Sequence, residues 1–277
     1  MKKQGFLVQR GLFSPAQLQG AQRAVQLLVA ELNEKLLVAG RVKRRHRSLQ
    51  SLEEEYPGAA VLIHTQGRLP REVAELWSSP QLMSKAAELM DCAQEQLCAH
   101  PAWNIRSKVP RNALFDVPSH QDSAYLEEGA GRQLTAWVPL VNARRENGAL
   151  QVVPRKENKL HPHVVDGGVD GGWYLRLQDE PSDDAFETLE VDIGDVVFMD
   201  ELTIHRSTPN ISQETRWSLD LRFCRDNEPS GTDKKPLPLH NINWDNAQHW
   251  MEERRVSERD EFDTAVRLHD NEFPHRA

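Results

Sequence analysis

Two imidazoles and one carboxylate in this chain have the types and spacing of a metal site. His120 and Asp122 stand two residues apart, so in an extended segment both side chains lie on the same side. On that triplet alone, a surface histidine beside a carboxylate is the better interpretation, because a chain of 277 residues with 11 histidines and 42 acidic residues contains such a pattern by chance. His205 ends a second segment, in which Gly194-Asp195 is followed by an apolar run. Two histidines and one carboxylate can occupy one face of an octahedron and leave three positions open, the arrangement of non-haem Fe(II) oxygenases.

An arginine downstream of His205 offers a second kind of chemistry. Arg216 opens an alternating strand whose polar positions continue through Ser218, Asp220 and Arg222. A guanidinium presents a planar fork that matches a carboxylate, which is what a barrel needs to hold the far end of a dicarboxylic cosubstrate. The same alternation also fits the solvent face of an edge strand. Periodicity alone does not separate these two interpretations.

The residues before position 100 are predicted to be mainly helical. Residues 14–17 read Ser-Pro-Ala-Gln, which combines an N-cap, a proline at the first helical position and the end of a capping box. Apolar residues then recur at spacings of three and four as far as Leu36, as in a long amphipathic helix. A second helix is predicted from Ser79-Pro80 toward Leu97.

From residue 103 the apolar period changes to two, which predicts strands. In the segment 132–141 an apolar face alternates with a mixed one. Asn147-Gly148 then predicts a hairpin turn before a strand at 149–153. Further strand candidates are 112–117, 188–193, 196–199, 202–207 and 216–223. Short strands separated by turn residues predict a sandwich or barrel rather than alternating βαβ units.

The length fits one barrel-sized domain or two small ones, and the order of the motifs favours one. We expect a mainly helical part at 1–100, a β core at 101–224 and a polar C-terminal tail at 225–277, with a helix at 246–254. Within the core, the glycine- and acid-rich segment 154–187 is longer than an ordinary connection. It is therefore interpreted as a lid-like insertion over a site.

Charge and hydropathy exclude several classes of function. With 34 Lys and Arg against 42 Asp and Glu, the formal net charge is −8, so nucleic acid and anionic membranes are not expected partners. No apolar stretch approaches the roughly 20 residues that span a bilayer, and no signal-peptide pattern is present, so a cytoplasmic location is expected. The three cysteines are expected to be reduced and buried. The basic segment 41–47 is interpreted as a solvated loop or helix end, or alternatively as a patch for an anionic substrate.

Six short motifs follow one another in order along the chain. They are His-Gln-Asp at 120–122, Leu-Thr-Ala-Trp-Val-Pro-Leu at 134–140, Asn-Gly-Ala-Leu-Gln-Val-Val-Pro at 147–154, Gly-Asp-Val-Val-Phe at 194–198, His-Arg-Ser at 205–207 and Arg-Trp-Ser at 216–218. Together they resemble the phytanoyl-CoA dioxygenase family of Fe(II)/2-oxoglutarate-dependent oxygenases, over about residues 5–223. The resemblance implies a mainly β fold with flanking helices and a double-stranded β-helix (jelly-roll, cupin-like) core. It also implies Fe(II), 2-oxoglutarate and O₂ as cofactor and cosubstrates.

The resemblance further implies roles for individual residues. His120, Asp122 and His205 would ligate iron and form the catalytic centre. Arg216 would pair with the C5 carboxylate of 2-oxoglutarate, and Ser207 would hydrogen-bond it. Other cosubstrate contacts would be Trp137, as a wall of the pocket, and Gln133 and Thr135, which share its strand face. Candidate contacts to cosubstrate or substrate are Lys108, Tyr125, Arg222 and residues of the 154–187 segment.

The implied reaction is the oxidation of an unactivated C–H bond, with succinate and CO₂ as coproducts. Hydroxylation is expected first, with desaturation, cyclisation or epimerisation as variants. The presence of Asp122 disfavours halogenation, because halogenating relatives carry a small residue at that position. The acidic chain has no clear basic cleft other than 41–47, which favours a small polar or cationic metabolite, such as a natural-product intermediate, over an acyl-CoA thioester. The alternatives are an acyl-CoA hydroxylase of the same family and a non-catalytic cupin-like metal-binding protein.

Overall fold

A layer of helices packs on one face of a β-sandwich. The computed structural model describes residues 1, 3–65, 69–113, 116–166, 174–240 and 242. The helices are α1 (Pro15–Val38), α2 (Leu49–Glu55), α3 (Ala59–Thr65), α4 (Arg71–Trp77) and α5 (Pro80–Met90). Within this part of the chain, none of the helices is both long and apolar enough to span a lipid bilayer.

The helices begin where the sequence predicts, but the last one ends early. The backbone N–H of Ser14 donates to Gln17 Oε1 at 2.9 Å, which satisfies one of the free donors at the start of α1. Helix α5 begins at Pro80 as expected. It ends before Leu97 because Asp91 takes the left-handed conformation, with φ of 56°, that terminates a helix.

The strands form two facing sheets and a separate hairpin. They are β1 (Phe6–Gln9), β2 (Leu97–Ala99), β3 (Asn104–Lys108), β4 (Leu134–Pro139), β5 (Leu150–Val152), β6 (His163–Asp166), β7 (Tyr174–Leu177), β8 (Glu187–Leu189), β9 (Val196–Asp200), β10 (His205–Ser207), β11 (Arg216–Arg225) and β12 (Leu237–Pro238). The large sheet has the order β1-β9-β4-β11-β2-β12, and β3 pairs with the first half of β11. The small sheet has the order β10-β5-β8, and β6 pairs with β7. This is the predicted jelly-roll core with flanking helices.

The two faces of the large sheet bury different residues. Leu134 and Ala136 of β4 pack against the helices, whereas Trp137 belongs to the cluster between the sheets. On β9, Phe198 faces the helices and Met199 faces the space between the sheets. The alternation predicted for this part of the chain is therefore confirmed. Side chains that enter the interior of the sandwich come from every second residue.

Several predicted elements differ from the structure. Asn147-Gly148 forms a turn but not a hairpin, because β4 and β5 belong to different sheets and the turn connects them. The candidate strand 112–117 is not a strand at its described positions; residues 114 and 115 lie outside the described part. The candidate strand at 202–207 is limited to β10. Six strands are additional to those predicted: β1, β2, β3, β6, β7 and β12. The predicted helix at 246–254 lies outside the described residues.

The basic segment 41–47 follows α1 at the surface. Arg45 pairs with Glu34 of α1 at 2.9 Å, and His46 Nε2 lies 2.7 Å from Glu55 of α2. These partners are acidic residues of the same chain, which favours the solvated interpretation. The cysteines are free thiols, with Cys98 and Cys224 buried and Cys92 partly exposed.

Candidate active site

His120, Asp122 and His205 meet between the two sheets. Their candidate ligand atoms all lie within 4.8 Å of one another, and the three residues are buried. His120 and His205 form an antiparallel bridge in which each backbone N–H donates to the carbonyl of the other at 3.0 Å. The bridge holds the two rings with their centroids 4.2 Å apart. Asp122 begins the 3₁₀ turn that follows the bridge.

Each imidazole is oriented by a backbone carbonyl. Nδ1 of His120 lies 2.8 Å from the oxygen of Pro118, and Nδ1 of His205 lies 2.9 Å from the oxygen of Thr203. Because a carbonyl only accepts, both Nδ1 atoms carry the proton and both Nε2 atoms keep a lone pair. Metal-ligating histidines are oriented in this way. Two Nε2 atoms and a carboxylate are a donor set that suits Fe(II), so the residues present fit the metal.

The carboxylate of Asp122 is held by Arg222 and Thr135. Arg222 Nη2 donates to Oδ1 at 2.7 Å, and Thr135 Oγ1 donates to Oδ2 at 2.7 Å. Burial alone would raise the pKa of Asp122, but the positive charge of Arg222 and the hydrogen bond from Thr135 outweigh it, so this pKa lies well below its usual range. Burial, together with the nearby His205, also lowers the pKa of His120. A metal ligand must be deprotonated, and both residues meet this requirement at neutral pH.

A second polar group surrounds Arg216, which is 4% exposed. Its Nε and Nη2 donate to the carbonyl of Gly148 at 3.1 and 2.8 Å, and its Nη1 donates to Ser218 Oγ at 2.7 Å. All these acceptors are neutral, and no described carboxylate forms an ion pair with the guanidinium. Burial lowers the pKa of Arg216 to about 10, so the group is charged at neutral pH. A buried guanidinium in this state suits the carboxylate of a ligand.

Lys108 and Ser207 lie at the same end of the interior. Lys108 is the register partner of Arg216 across the β3–β11 pair. Its Nζ donates to Ser207 Oγ at 2.7 Å and pairs with Asp116 at 2.8 Å. Burial lowers the pKa of Lys108 to about 8, against the attraction of Asp116. Two cations and a hydroxyl therefore meet at one place.

The turn at Gly148 shapes this end of the interior. Gly148 has a φ of +94°, which side chains rarely adopt. A Cβ at this position would lie 2.9 Å from Lys108 Cδ. The absence of a side chain thus lets the carbonyl of Gly148 approach Arg216 while the stem of Lys108 packs against the turn.

One cavity connects the metal-ligand histidines with the polar group around Arg216, and most charged side chains on its wall are basic. The wall includes His120 and His205, five basic side chains and one acidic side chain; the charged residues are Arg106, Lys108, Arg206, Arg216, Arg222 and Asp220. The expectation that the chain has no basic cleft beyond 41–47 is therefore wrong. Most of these cations occupy alternate positions of β3 and β11, so the overall acidic composition does not reveal them.

The remaining predicted cosubstrate contacts differ in position. Trp137 lines the cavity, and its ring centroid lies 5.4 Å from Arg216 Cζ. Thr135 also lines the cavity, but its hydroxyl donates to the carboxylate of Asp122. Gln133 shares their strand face but is not on the cavity wall: its Nε2 lies 3.0 Å from His100 Nδ1. The structure thus brings Trp137 and Thr135 to the site and leaves Gln133 in a neighbouring buried pair.

Strand β11 is an interior strand of the large sheet. It pairs with β4 on one side and with β2 and β3 on the other. Its alternating polar residues Arg216, Ser218, Asp220 and Arg222 are between 0% and 6% exposed. The interpretation of these residues as the solvent face of an edge strand is therefore wrong.

The 154–187 segment contributes the hairpin β6–β7, which packs beside the ligand group. The backbone N–H of Leu175 donates to the hydroxyl of Tyr125 at 2.8 Å. The ring of Tyr125 meets that of His120 edge-on, with centroids 5.5 Å apart. Tyr174 of the hairpin lines the cavity. Tyr125 thus connects the hairpin to a metal-ligand candidate.

Gln121, between the two ligands of the first motif, also holds this segment. Its Oε1 accepts from the N–H of His161 at 2.8 Å, and its Nε2 donates to the carbonyls of Lys159 and Leu202, each at 2.8 Å. Its backbone N–H donates to His163 Nε2 at 3.1 Å. Sequence reasoning missed this role because the middle residue of the motif reads as a spacer, and its partners are distant in sequence.

Comparison with known proteins gives a consistent result. The family model described as phytanoyl-CoA dioxygenase matches residues 1–218. The peroxisomal phytanoyl-CoA dioxygenase of Bos taurus is 32% identical over 112 residues, covering 39% of this chain and 33% of that protein. A phytanoyl-CoA dioxygenase domain-containing protein 1 homolog of Dictyostelium discoideum is 26% identical over 113 residues, covering 39% of this chain and 40% of the relative. The matched segment therefore spans less than half the length of either relative.

A solved structure shares the fold over most of the chain. The crystal structure of EvdO2 from Micromonospora carbonacea var. aurantiaca, complexed with 2-oxoglutarate, aligns with a TM-score of 0.58. The alignment covers 88% of this chain and 94% of that chain at 21% identity. At this identity the likeness shows a common fold.

Proposed function

Because this chain belongs to the phytanoyl-CoA dioxygenase family, we propose that it is an Fe(II)- and 2-oxoglutarate-dependent dioxygenase that hydroxylates an unactivated C–H bond of a small polar metabolite. The observation that supports this most strongly is one cavity lined both by the two histidines of a His-Asp-His group and by a buried arginine without an ion-pair partner among the described residues. The first group would hold iron and the second the far carboxylate of 2-oxoglutarate. Succinate and CO₂ are the expected coproducts.

The metal would be held by Nε2 of His120, Nε2 of His205 and a carboxylate oxygen of Asp122. When bound, Fe(II) with 2-oxoglutarate and O₂ supplies the oxidising power needed to attack an unreactive C–H bond. Three protein ligands leave room for a bidentate cosubstrate and one further ligand. Arg222 and Thr135 keep the carboxylate of Asp122 ionised and oriented, which is the usual task of groups that hydrogen-bond a metal ligand.

The cosubstrate would lie between the metal ligands and Arg216. The guanidinium of Arg216 would pair with its C5 carboxylate, and the hydroxyl of Ser207 would hydrogen-bond it. Lys108, already in contact with Ser207, would exchange Asp116 for that carboxylate. Trp137 forms the adjacent wall and excludes water, which strengthens a charge pair by lowering the local dielectric constant.

The hairpin β6–β7 would act as a cover over the substrate side of this site. It reaches the cavity through Tyr174 and connects to the ligand segment through Tyr125 and Gln121. A cover that excludes water protects a reactive intermediate from side reactions. The segment 154–187 is thus proposed to be a functional part of one domain that extends over the whole chain.

Anaerobic titration of the Fe(II)-loaded protein with 2-oxoglutarate tests the proposal. We expect a visible metal-to-ligand charge-transfer band that saturates with 2-oxoglutarate and that Asp122→Ala abolishes. A cupin-like metal-binding protein would bind Fe(II) without such a band, and that result would refute the proposal. Stimulated decarboxylation of 2-oxoglutarate by a panel of small polar metabolites and acyl-CoA thioesters then separates the two substrate classes.

A further inference from the structure

We propose that Arg106 binds a carboxylate of the substrate beside the metal centre, so that the substrate is an organic acid. This inference rests on the proposed function and specifies its substrate class. It also changes an expectation from composition, since a cationic metabolite would meet a wall of like charge.

The cationic side chains that β3 and β11 contribute to the cavity wall differ in their ion-pair and hydrogen-bond partners. Arg222 pairs with Asp122, and Lys108 pairs with Asp116. Arg216 is reserved for the cosubstrate in the proposed function. Arg106 donates only its Nε, to Asp220 Oδ2 at 2.8 Å. Its two Nη atoms, which form the outer edge of the fork, have no hydrogen-bond partner in the described part of the chain.

The position of Arg106 suits a second ligand next to the cosubstrate. In the β3–β11 register it lies opposite Ser218, one alternate position from the pair formed by Lys108 and Arg216. Its side chain is 26% exposed, whereas that of Lys108 is 3% exposed. The guanidinium is therefore accessible from the cavity, at the level between the cosubstrate end and the metal ligands. Tyr174 of the hairpin lies on the same cavity wall.

Asp220 orients the guanidinium of Arg106 but does not neutralise the net positive charge of the cavity wall. This carboxylate also lies 3.9 Å from Arg222 Nη2, so two guanidinium groups share it. Planar guanidinium groups held by one edge can bind a carboxylate with the other edge. Arg106 is thus fixed in orientation and retains donors for a ligand.

The charge of the loaded site also favours an anion. Four of the five cations on the wall have a carboxylate partner, and these partners are Asp220, Asp116, Asp122 and Asp183. The wall and its partners therefore carry one positive charge in excess. The two charges of Fe(II) and the two charges of 2-oxoglutarate cancel, so loading does not remove this excess. Among buried side chains, an unbalanced positive charge favours a negatively charged ligand over a neutral one of the same shape.

The experiment compares two probes of equal shape that differ in charge: 3-phenylpropanoate and 3-phenylpropanamide. Their dissociation constants are measured by ligand-observed NMR on the full chain loaded with Zn(II) and saturated with 2-oxoglutarate, so that no turnover occurs. We expect the wild type to bind the acid about tenfold more tightly than the amide, the effect of one charge-assisted contact. Arg106→Gln should remove this preference without changing the affinity for the amide.

Two further variants control for folding and for net charge. Arg106→Lys keeps the charge but not the fork, so part of the preference should remain. Arg71→Gln removes an exposed arginine that pairs with Glu75 on α4, and it should behave as the wild type. Affinity for 2-oxoglutarate, measured on the same samples, should be equal in all four proteins.

Three results would overturn the inference. The first is equal binding of the acid and the amide by the wild type, and the second is a preference for the acid that Arg106→Gln retains. The third is a loss of affinity for 2-oxoglutarate itself in Arg106→Gln, which would assign the guanidinium to the C1 carboxylate of the cosubstrate. Failure of the proposed function is distinguishable, because the Zn(II)-loaded wild type would then not bind 2-oxoglutarate at all.

Discussion

Arg222 binds the carboxylate of Asp122 with two of its nitrogens, Nη2 to Oδ1 at 2.7 Å and Nε to Oδ2 at 3.3 Å. Both side chains are less than one-tenth exposed. A buried carboxylate without a cation would be costly, and here the cation is present before any metal arrives. The pair therefore prepares an ionised ligand in the metal-free protein and orients it for the metal.

The first prediction concerns the stability that this pair provides. Arg222→Met should lower the free energy of unfolding of the metal-free protein by about 3–5 kcal/mol, because it leaves a buried charge without a partner. Urea unfolding measures this loss. Addition of Co(II) should recover part of it, since the metal then supplies the missing positive charge.

A matched control is available at the surface. Arg71 pairs with Glu75 at 2.7 Å, and their side chains are 63% and 60% exposed. Arg71→Met should therefore cost less than about 1 kcal/mol, with or without Co(II). An equal loss in the two variants, or a loss in Arg222→Met that Co(II) leaves unchanged, would contradict this explanation.

The second prediction concerns Arg216. Arg216→Gln should raise the dissociation constant for 2-oxoglutarate about tenfold or more, because it removes a charge-assisted pair of hydrogen bonds. Affinity for Co(II) should stay the same, since the guanidinium does not contact the metal-ligand group. Calorimetry with each ligand separates the two effects, and a parallel loss of both affinities would argue against the assigned role.

The third prediction is a pH dependence of cosubstrate binding. Lys108, whose pKa is lowered to about 8 by burial, is protonated below that pH and neutral above it. Affinity for 2-oxoglutarate should therefore fall as the pH rises through about 8, while Arg216, with a pKa of about 10, stays charged. Dissociation constants for the Co(II)-loaded protein across this range provide the measurement. Lys108→Met should bind more weakly at neutral pH and lack the dependence; an unchanged pH profile in this variant would show that another group is responsible.

The fourth prediction concerns the hairpin. Nδ1 of His163 lies 2.7 Å from the carbonyl of His161, so the proton is on Nδ1 and Nε2 accepts from the N–H of Gln121. Burial lowers the pKa of His163. A lowered histidine pKa gives stabilisation that is present above the ordinary value of about 6.5 and is lost as the pH falls below it.

Hydrogen exchange tests this directly. Below about pH 6.5, the amides of Leu175 and Leu177 in β7 should lose protection after correction for intrinsic exchange rates. Amides in the β1–β9 pair serve as the internal reference and should keep theirs. Equal changes in the two regions would indicate general destabilisation instead.

Much of the metal-ligand group could be predicted because its chemistry restricts both residue type and spacing. Motif order predicts that His120, Asp122, His205 and Arg216 act together. In the structure the two histidines and Arg216 line one cavity, and the ligand atoms of Asp122 lie within 4.8 Å of those of the histidines. It is harder to predict which residues on one face of a strand reach the cavity. Gln133 shares a face with Trp137, yet it lies beside His100 instead of the cavity.

The basic wall could not be predicted because it depends on pairing between distant strands. The segment 104–108 has polar residues at Asn104, Arg106 and Lys108 and little apolar pattern, so it did not read as a buried strand. Its burial comes from pairing with β11. Likewise, the turn chemistry at Asn147-Gly148 predicted a local turn correctly, but which sheet each flanking strand joins is a property of the whole fold.

The most direct test of the central claim is succinate formation from 2-oxoglutarate by the Fe(II)-loaded protein in air, with the substrate panel present. The wild type should form succinate in a reaction that depends on Fe(II) and is stimulated by a substrate. Asp122→Ala and His205→Ala should form none above background while retaining the wild-type circular dichroism spectrum. Turnover near the wild-type rate in either variant would contradict the assignment of these residues to the metal centre.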